Sequence, residues 1–509
     1  MSVLLTDVLV WDPTRASGMT GPTDVLVVDD TITAIGETAR ASAPVGARTI
    51  DGGGHHVVVP GLVNAHFHSP ANHLKGAFRS RPLEAFMLYE SPADPALRPT
   101  PREAYLRTML GALEMLRTGT TSVQDDAFLM PTPEPEVIDA VMQAYADSGI
   151  RATVALDQPE LPDTDKLPFL GGLDGLAPAV ASALRAPAPA AASELLDAYD
   201  HLVGTWHGAA GGRLSAAVSI SAPQRVSPEY WGALDDLSRT HDLPVFAHVL
   251  ETRTQRALSV PGTGQDRFAG RSLVRYADDL GLLNDRVNVI HAVWVDDDDL
   301  DRIAAAGAVV AHNPVSNLRL GSGVMPFRAM RDRGIPVALG VDEAICDDTV
   351  NTWGVVKQAG LVHNVAGLDP EDWPTPAEVL DALWEGGAAA MRRTGRIGRV
   401  AVGAQADLAV LDLYAPAFTP FNDLRGQLVY CESGGSVRAT IVAGAVVAED
   451  GRVVSVDEAA LLAEARELHA ARRPALERTW AEADALLPAV DAVVRRAART
   501  DVGMNRWIG

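Results

Sequence analysis

"VVVPGLVNAHFHSP", residues 57–70, is an apolar run that breaks at a Pro-Gly pair and then presents His66 and His68 with a single residue between them. In an extended strand, positions i and i+2 share a face, so the two imidazoles converge while Phe67 points away. That geometry suits two ligands of one metal ion. It equally suits a hydrogen-bonded histidine pair at a strand end, and the rest of the chain must decide.

It does so by repetition. Seven further β-type runs follow: "TTSVQDD" (120–126), "RATVALD" (151–157), "LSAAVSIS" (214–221), "PVFAHV" (244–249), "VNVIHA" (287–292), "AVVAHN" (308–313) and "PVALGVD" (336–342). With 57–66 they make eight candidate strands. Helical periods such as "PREAYLRTMLGALEMLRTG" lie between them, the pattern of a parallel (β/α)8 barrel. His248, His291, His312 and Asp342 stand at the ends of later strands, and in a barrel all C-terminal strand ends open onto the face where active sites lie. Imidazole and carboxylate ligands suit zinc or ferrous iron, and three histidines with one aspartate leave a position for water. Glu251, three residues beyond His248, reads either as a proton carrier over that site or as a helix N-terminal cap. The run Asp296–Asp299 reads as a helix start favoured by the dipole.

Residues 1–56 are strand and turn in texture, and the same texture returns after 400 in "GAQADLAVLDL" and "SVRATIVAGAVVAEDGRVV". The expected organisation is a composite β-sandwich from 1–56 plus 397–455, a barrel over 57–396, and a helical C-terminal extension over 456–509. Pro474 is read as dividing that extension into two helical periods, and the whole as a packing or oligomer element. Residues 186–193, "APAPAAAS", read as a low-complexity turn.

The 509 residues carry 66 Asp and Glu against 43 Lys and Arg, a formal net charge of −23, with no basic stripe that could neutralise phosphates, so nucleic acid is not expected as a partner. Cys346 and Cys431 form neither a CxxC nor a paired pattern, which predicts a reducing, cytoplasmic setting. "MSVLLTDVLVWDP" lacks a basic n-region and no run of 18 apolar residues occurs, so neither export nor membrane insertion is expected.

"PGLVNAHFHSP", "HVLET", "HAVWVDDDDL", "AHNPVSNLRLGSG", "ALGVDEA" and "GRIGRVAVGAQADLAVLDL", in that order, resemble the metal-dependent amidohydrolase superfamily over about residues 1–450. The likeness is to its branch of chlorotriazine hydrolases and cytosine, guanine and S-adenosylhomocysteine deaminases. The resemblance implies a distorted (β/α)8 TIM barrel with a composite β-sandwich. It implies one divalent ion, zinc ahead of ferrous iron, on His66, His68, His248 and Asp342. It makes Glu251 the proton shuttle and His291 the group that orients water or substrate, with Asp342 as a second proton acceptor. His312 and Asn317 become pocket-wall residues. No strand-4 lysine for a bridging carbamate stands in "LSAAVSISAPQ", in agreement with one ion.

The implied reaction is deamination of a small planar nitrogen heterocycle by metal-activated water. The alternatives are hydrolysis of an amide, urea or cyclic imide, dechlorination of a triazine, and a barrel retained as a non-catalytic scaffold. The chain departs from the family pattern at two places. Gln224 stands where many of these deaminases have a histidine after strand 4, which argues against a standard adenosine-type pocket. Glu343 follows Asp342 in "GVDEA", either favouring a cationic or amine-rich substrate or serving as an ion-pair partner. Residues 72–92 are expected to form a lid, with Phe78, Phe86, Met87 and Tyr89 as candidates to cover a planar ligand. A small-molecule substrate and a homo-oligomer are expected.

Overall fold

The strand read over 57–66 is in fact two strands. In the computed structural model, which describes residues 2–91, 94–169, 178–263, 266–367 and 369–507, His56–Pro60 and Leu62–Phe67 lie on either side of Gly61. The first pairs antiparallel with Leu408–Asp412, and the second runs parallel to Thr120–Ala127. A Cβ on Gly61 would sit 2.2 Å from Thr121 Cγ2 and Oγ1 and 2.7 Å from Thr121 Cβ. Only a glycine lets the chain pass from one sheet to the other at this spot.

The barrel strands are β1 (Leu62–Phe67), β2 (Thr120–Ala127), β3 (Arg151–Leu156), β4 (Leu214–Ala216 continued by Val218–Ser219), β5 (Val245–Val249), β6 (Val287–His291), β7 (Val309–His312) and β8 (Val337–Leu339). All pair in parallel, and every residue of β1, β2 and β3 is buried, as strands covered on both faces require. β4 is interrupted at Ala217: its first half pairs with β3 and its second half with β5, which distorts the barrel there. β8 and β1 close the ring through the Asp342 N–H to the His66 carbonyl (2.9 Å) and the His68 N–H to the Asp342 carbonyl (3.1 Å). The seam is therefore made by backbone of the candidate site. Gly340 beside it has no room for a side chain, since a Cβ would lie 2.8 Å from that of His66 and 2.4 Å from Asn313 Oδ1.

Strands from both chain ends form one further sheet. Ser2–Val10 pairs with Thr23–Val28, Arg48–Asp51 and His56–Pro60, and the last of these joins it to Leu408–Asp412, Val437–Val442, Ala445–Glu449 and Arg452–Val453. Val3, Leu5, Val8, Val25, Val27, Leu408, Val410 and Ile441 fill its core.

The C-terminal helix is continuous over Glu458–Arg499 and carries Pro474 and Pro488 within it. Pro474 does not divide it as the sequence suggested. An interior proline costs about 3 kcal/mol, and tertiary contacts on this stretch oppose that loss: Arg472 pairs with Glu103 and donates to the carbonyls of Ala96 and Arg98, and Arg102 pairs with Glu464. Asp296 caps the helix Asp297–Ala306 and pairs with Arg256, the helix-start role expected of the acidic run. Among the described residues, no helix is long and apolar enough to cross a membrane.

Gly61→Ala is expected to destabilise the fold by about 1–3 kcal/mol, because Thr121 Cβ cannot rotate out of the way. Denaturant unfolding of the variant against the parent chain measures this, and an unchanged midpoint would mean the two sheets can part without cost.

Candidate metal centre and active site

Four ligand-type atoms meet where the barrel closes. His66 Nε2 and His68 Nε2 lie 3.2 and 3.4 Å from Asp342 Oδ1, and His248 Nε2 lies 3.2 Å from His66 Nε2 and 3.3 Å from His68 Nε2. Hydrogen bonds on the outer edges of the rings explain which nitrogens face inward. His248 Nδ1 donates to the Ser221 carbonyl at 2.7 Å, and His68 Nδ1 donates to the Asp126 carbonyl, so each ring turns its lone-pair-bearing Nε2 to the centre. Two such lone pairs 3.3 Å apart repel unless a cation lies between them. Ligands about 2.0–2.2 Å from one tetrahedral ion stand about 3.3–3.5 Å from each other, close to the spacing of His66 and His68 from Asp342 and of His248 from His66 and His68. The donor set fits a single divalent ion.

Electrostatics point the same way. Burial holds His66 down at about 3 and His248 and His291 at about 4, so these imidazoles are neutral and competent as ligands or acceptors. Burial also opposes charge on His68, yet Asp342, Asp157, Asp126 and Glu90 outweigh it and raise its pKa. Burial likewise opposes the Asp342 carboxylate, but His66, His291 and His68 hold it well below the usual range. The surroundings favour positive charge at the centre of the cluster.

His291, Asp342, Leu250 and Ser221 all have left-handed φ values, 71°, 69°, 52° and 58°. These are costly conformations for non-glycine residues, and their gathering at strand ends around one site marks backbone held in place by the surrounding fold. His291 Nδ1 donates to Asn317 Oδ1 at 3.0 Å, which leaves Nε2 facing Glu251 Oε2 and Asp342 Oδ2, each 3.8 Å away. One small atom group fits between them. Glu251 is no helix cap: Thr252 caps Arg253–Ala257, its side chain accepting from the Gln255 N–H. The Glu251 N–H donates to Gln255 Oε1, and Glu251 Oε1 is buried with no partner. Burial, then Asp342, Glu84 and Glu90, push the Glu251 carboxyl well above the usual carboxylate range, which favours its protonated form.

These groups line a cavity of about 400 Å3. His68, His248, Glu251, His291, Asp342, Glu343 and Gln224 all border it, and Gln224 Oε1 is a buried acceptor with no partner. The other predicted substrate contacts do not. His312 lies beneath, 3.1 Å from His363, and Asn317 serves His291 rather than the cavity. Phe86 is packed among Ala71, Leu74, Leu320 and Ile345 with Phe78 against it, and the Tyr89 hydroxyl donates to Asp484 at 2.6 Å. Of the lid residues named from the sequence, only Met87 reaches the cavity wall. The reason is helical phase: Leu83–Glu90 is one helix, and its Leu83, Glu84, Met87 and Leu88 face inward while Phe86 faces the core.

Sequence reading missed Asp157, Glu84, Glu90 and Arg225, which also line the cavity. Asp157 closes "RATVALD" as Asp342 closes "PVALGVD", so the strand-end signal was present for it. Burial raises both Glu90 and Glu343, and Glu90 raises Glu343 further, so these two carboxyls are hydrogen-bonded partners rather than a salt bridge to a base.

A parallel barrel that gathers histidines and an aspartate at its strand ends, with a buried glutamic acid beside them, is the architecture of a metal-dependent hydrolase. The amidohydrolase family pattern matches residues 57–447. The chain is 35% identical over 444 residues to the 5-methylthioadenosine/S-adenosylhomocysteine deaminase of Nitratidesulfovibrio vulgaris, covering 87% of this chain and 91% of that protein. A zinc-bound adenosine deaminase from Xanthomonas campestris superposes with a TM-score of 0.79 at 27% identity, covering 93% of this chain and 98% of the other. An atrazine chlorohydrolase from Arthrobacter aurescens shares the fold, with a TM-score of 0.78 at 23% identity over 92% of this chain and 100% of the other. The chain belongs to the amidohydrolase family, and it is a metal-dependent hydrolase of carbon–nitrogen bonds, of the deaminase kind.

His66→Ala removes one of four ligand atoms and is expected to abolish both bound metal and turnover. Elemental analysis with an activity assay tests this, and retention of both would make the HxH pair structural.

Proposed function

We propose that this chain hydrolytically deaminates a small aminated nitrogen heterocycle, using one zinc ion held by His66, His68, His248 and Asp342. The observation that carries this reading is the pairing of the four-atom cluster with Glu251, a buried acid beside it whose pKa is pushed up and that is not itself within the cluster. Adenosine derivatives are the first substrates to test, because relatives at 30–35% identity bear the names of 5-methylthioadenosine/S-adenosylhomocysteine and 5'-deoxyadenosine deaminases. Gln224 gives ring recognition an amide in place of the imidazole common in the branch.

A divalent ion in this donor set supplies hydroxide at neutral pH by lowering the pKa of water to about 7. The remaining chemistry belongs to the chain. At the amine-bearing ring carbon the attacking water is oriented by His291, whose Nδ1–H is held by Asn317 so that the Nε2 lone pair accepts a hydrogen bond from it. Glu251 delivers its proton to the ring nitrogen, and the Asp342 Oδ2 turned toward His291 accepts one from the attacking water. The amine nitrogen then takes the proton held by Asp342 and leaves as ammonia, while the hydroxyl proton on the same carbon returns to Glu251 as that carbon becomes a carbonyl. Overall, water is consumed and ammonia released.

Ammonia release over a panel of aminopurines, aminopyrimidines, pterins, triazines and ureas tests the reaction class. Deamination of none of them, with hydrolysis of an amide or urea instead, would overturn the reading. Glu251→Gln keeps size and hydrogen bonding but cannot exchange a proton, so kcat is expected to fall about 10²–10⁴-fold with smaller change in KM and full metal content. Wild-type turnover in that variant would move the shuttle elsewhere. Elemental analysis is expected to give about one ion per chain, and two ions both needed for activity would contradict the proposed shell.

A further inference from the structure

The C-terminal helix, which lies beyond the segment matched by the family pattern, is part of the active-site cavity. Its buried stripe includes Leu476, Thr479, Ala483, Val490, Val493 and Ala497. At one end Leu476 packs into the cluster around Phe86 and Ile345, and farther along Ala489 and Val490 pack with Ala85 and Leu184. Between these anchors Trp480 and Leu487 join the same two clusters from the flanks of the stripe. There Thr479, Glu482, Ala483 and Leu486, at the i, i+3, i+4, i+7 spacing of one helical face, border the cavity itself. The smallest residue of the four, Ala483, stands at the middle.

The same stretch holds the lid helix Leu83–Glu90 in place. Asp484 accepts from the Tyr89 hydroxyl at 2.6 Å, Trp480 Nε1 donates to the Tyr89 carbonyl at 3.0 Å, and Thr479 donates to Asp94 at 2.9 Å. Leu83, Met87 and Leu88 of the lid border the cavity together with Ala483 and Leu486, so this part of the wall is apolar. The charged groups contributed here by lid and helix, Glu84, Glu90, Asp94 and Glu482, are all acids and oppose a phosphate.

We propose that the C-terminal helix is a specificity-determining wall: it clamps the lid over the cavity, and Ala483 sets the size of the uncharged, apolar substituent that the substrate ring carries. The substituent half rests on the deaminase reading above. The clamp half does not.

Two measurements on the zinc-loaded full chain test it. In the first, ammonia release is followed from adenine, adenosine and 5'-methylthioadenosine, three rings with substituents of increasing apolar bulk. Ala483→Trp is expected to lower kcat/KM for the last by about 10-fold or more through KM, and for adenine by less than about threefold. Arg478→Trp, on the exposed face of the same helix, is expected to change neither. Equal loss on all three substrates, or none, overturns the proposal, and Ala483→Leu repeats the test should the Trp variant fail to fold. In the second, hydrogen exchange is followed at the amides of Leu83–Glu90 in a Trp480→Phe, Asp484→Ala double variant. Exchange there is expected to quicken about 10-fold relative to the parent, with the barrel strands unchanged. An unchanged lid overturns the clamp and with it the proposal. Failure of the parent chain to release ammonia from any of the three would count against the deaminase reading for adenosine derivatives, and the exchange result would still decide whether the helix clamps the lid.

Discussion

The closing of the barrel between β8 and β1 is the constraint on which the site depends. The two hydrogen bonds that make the seam run between the backbones of His66, His68 and Asp342, three of the four residues that form the candidate ligand cluster. Closing the ring therefore brings Asp342 Oδ1 to 3.2 and 3.4 Å from the two imidazoles. Gly340 permits the approach, since any side chain there would collide with His66. The strand ends reach this geometry only by adopting left-handed φ values at His291 and Asp342, a local cost that the packed barrel must sustain.

Around that seam the chain gathers more acid than base. Asp126, Asp157, Glu90, Glu251 and Glu343 are all buried near the imidazoles, with Arg225 and Lys166 the bases among the cavity-lining residues. So many carboxyls cannot all be ionised in a low-dielectric site, and their pKa values part: Asp342 is held ionised by the histidines while burial drives Glu251 upward. One fold thus biases one carboxyl toward its ionised form and another toward its protonated form on either side of His291. That division of labour is what hydrolysis of an aminated ring carbon requires.

The wall of the cavity is assembled from remote parts of the chain. The lid helix follows β1, the loop containing Ala186 to Pro189 lies between β3 and β4, and the C-terminal helix is added from the far end. A helix read as a packing or oligomer element thereby reaches the cavity. Its continuity through Pro474 follows from ion pairs and packing along its length, which local propensity does not register.

What the sequence alone determined is what obeys short periods. Short β-type runs separated by helical periods located all eight barrel strands, the two-residue spacing aimed His66 and His68 at one point, and strand-end placement singled out His248, His291 and Asp342. Glu251 was legible for the same reason, although only the structure removed the capping alternative by giving that task to Thr252. What the tertiary structure decided depends on phase and on contacts across hundreds of residues. It split 57–66 at Gly61 between two sheets, because the collision that forbids a side chain there comes from Thr121. It turned Phe86 into the core and Met87 toward the cavity, a rotation of one position on a helix that residue type does not reveal. It placed Asn317 behind His291, and it brought Ala483 to a cavity founded on residues more than four hundred positions earlier. Periodicity reports which face of an element is buried, whereas the identity of what covers that face is fixed only when the distant elements meet.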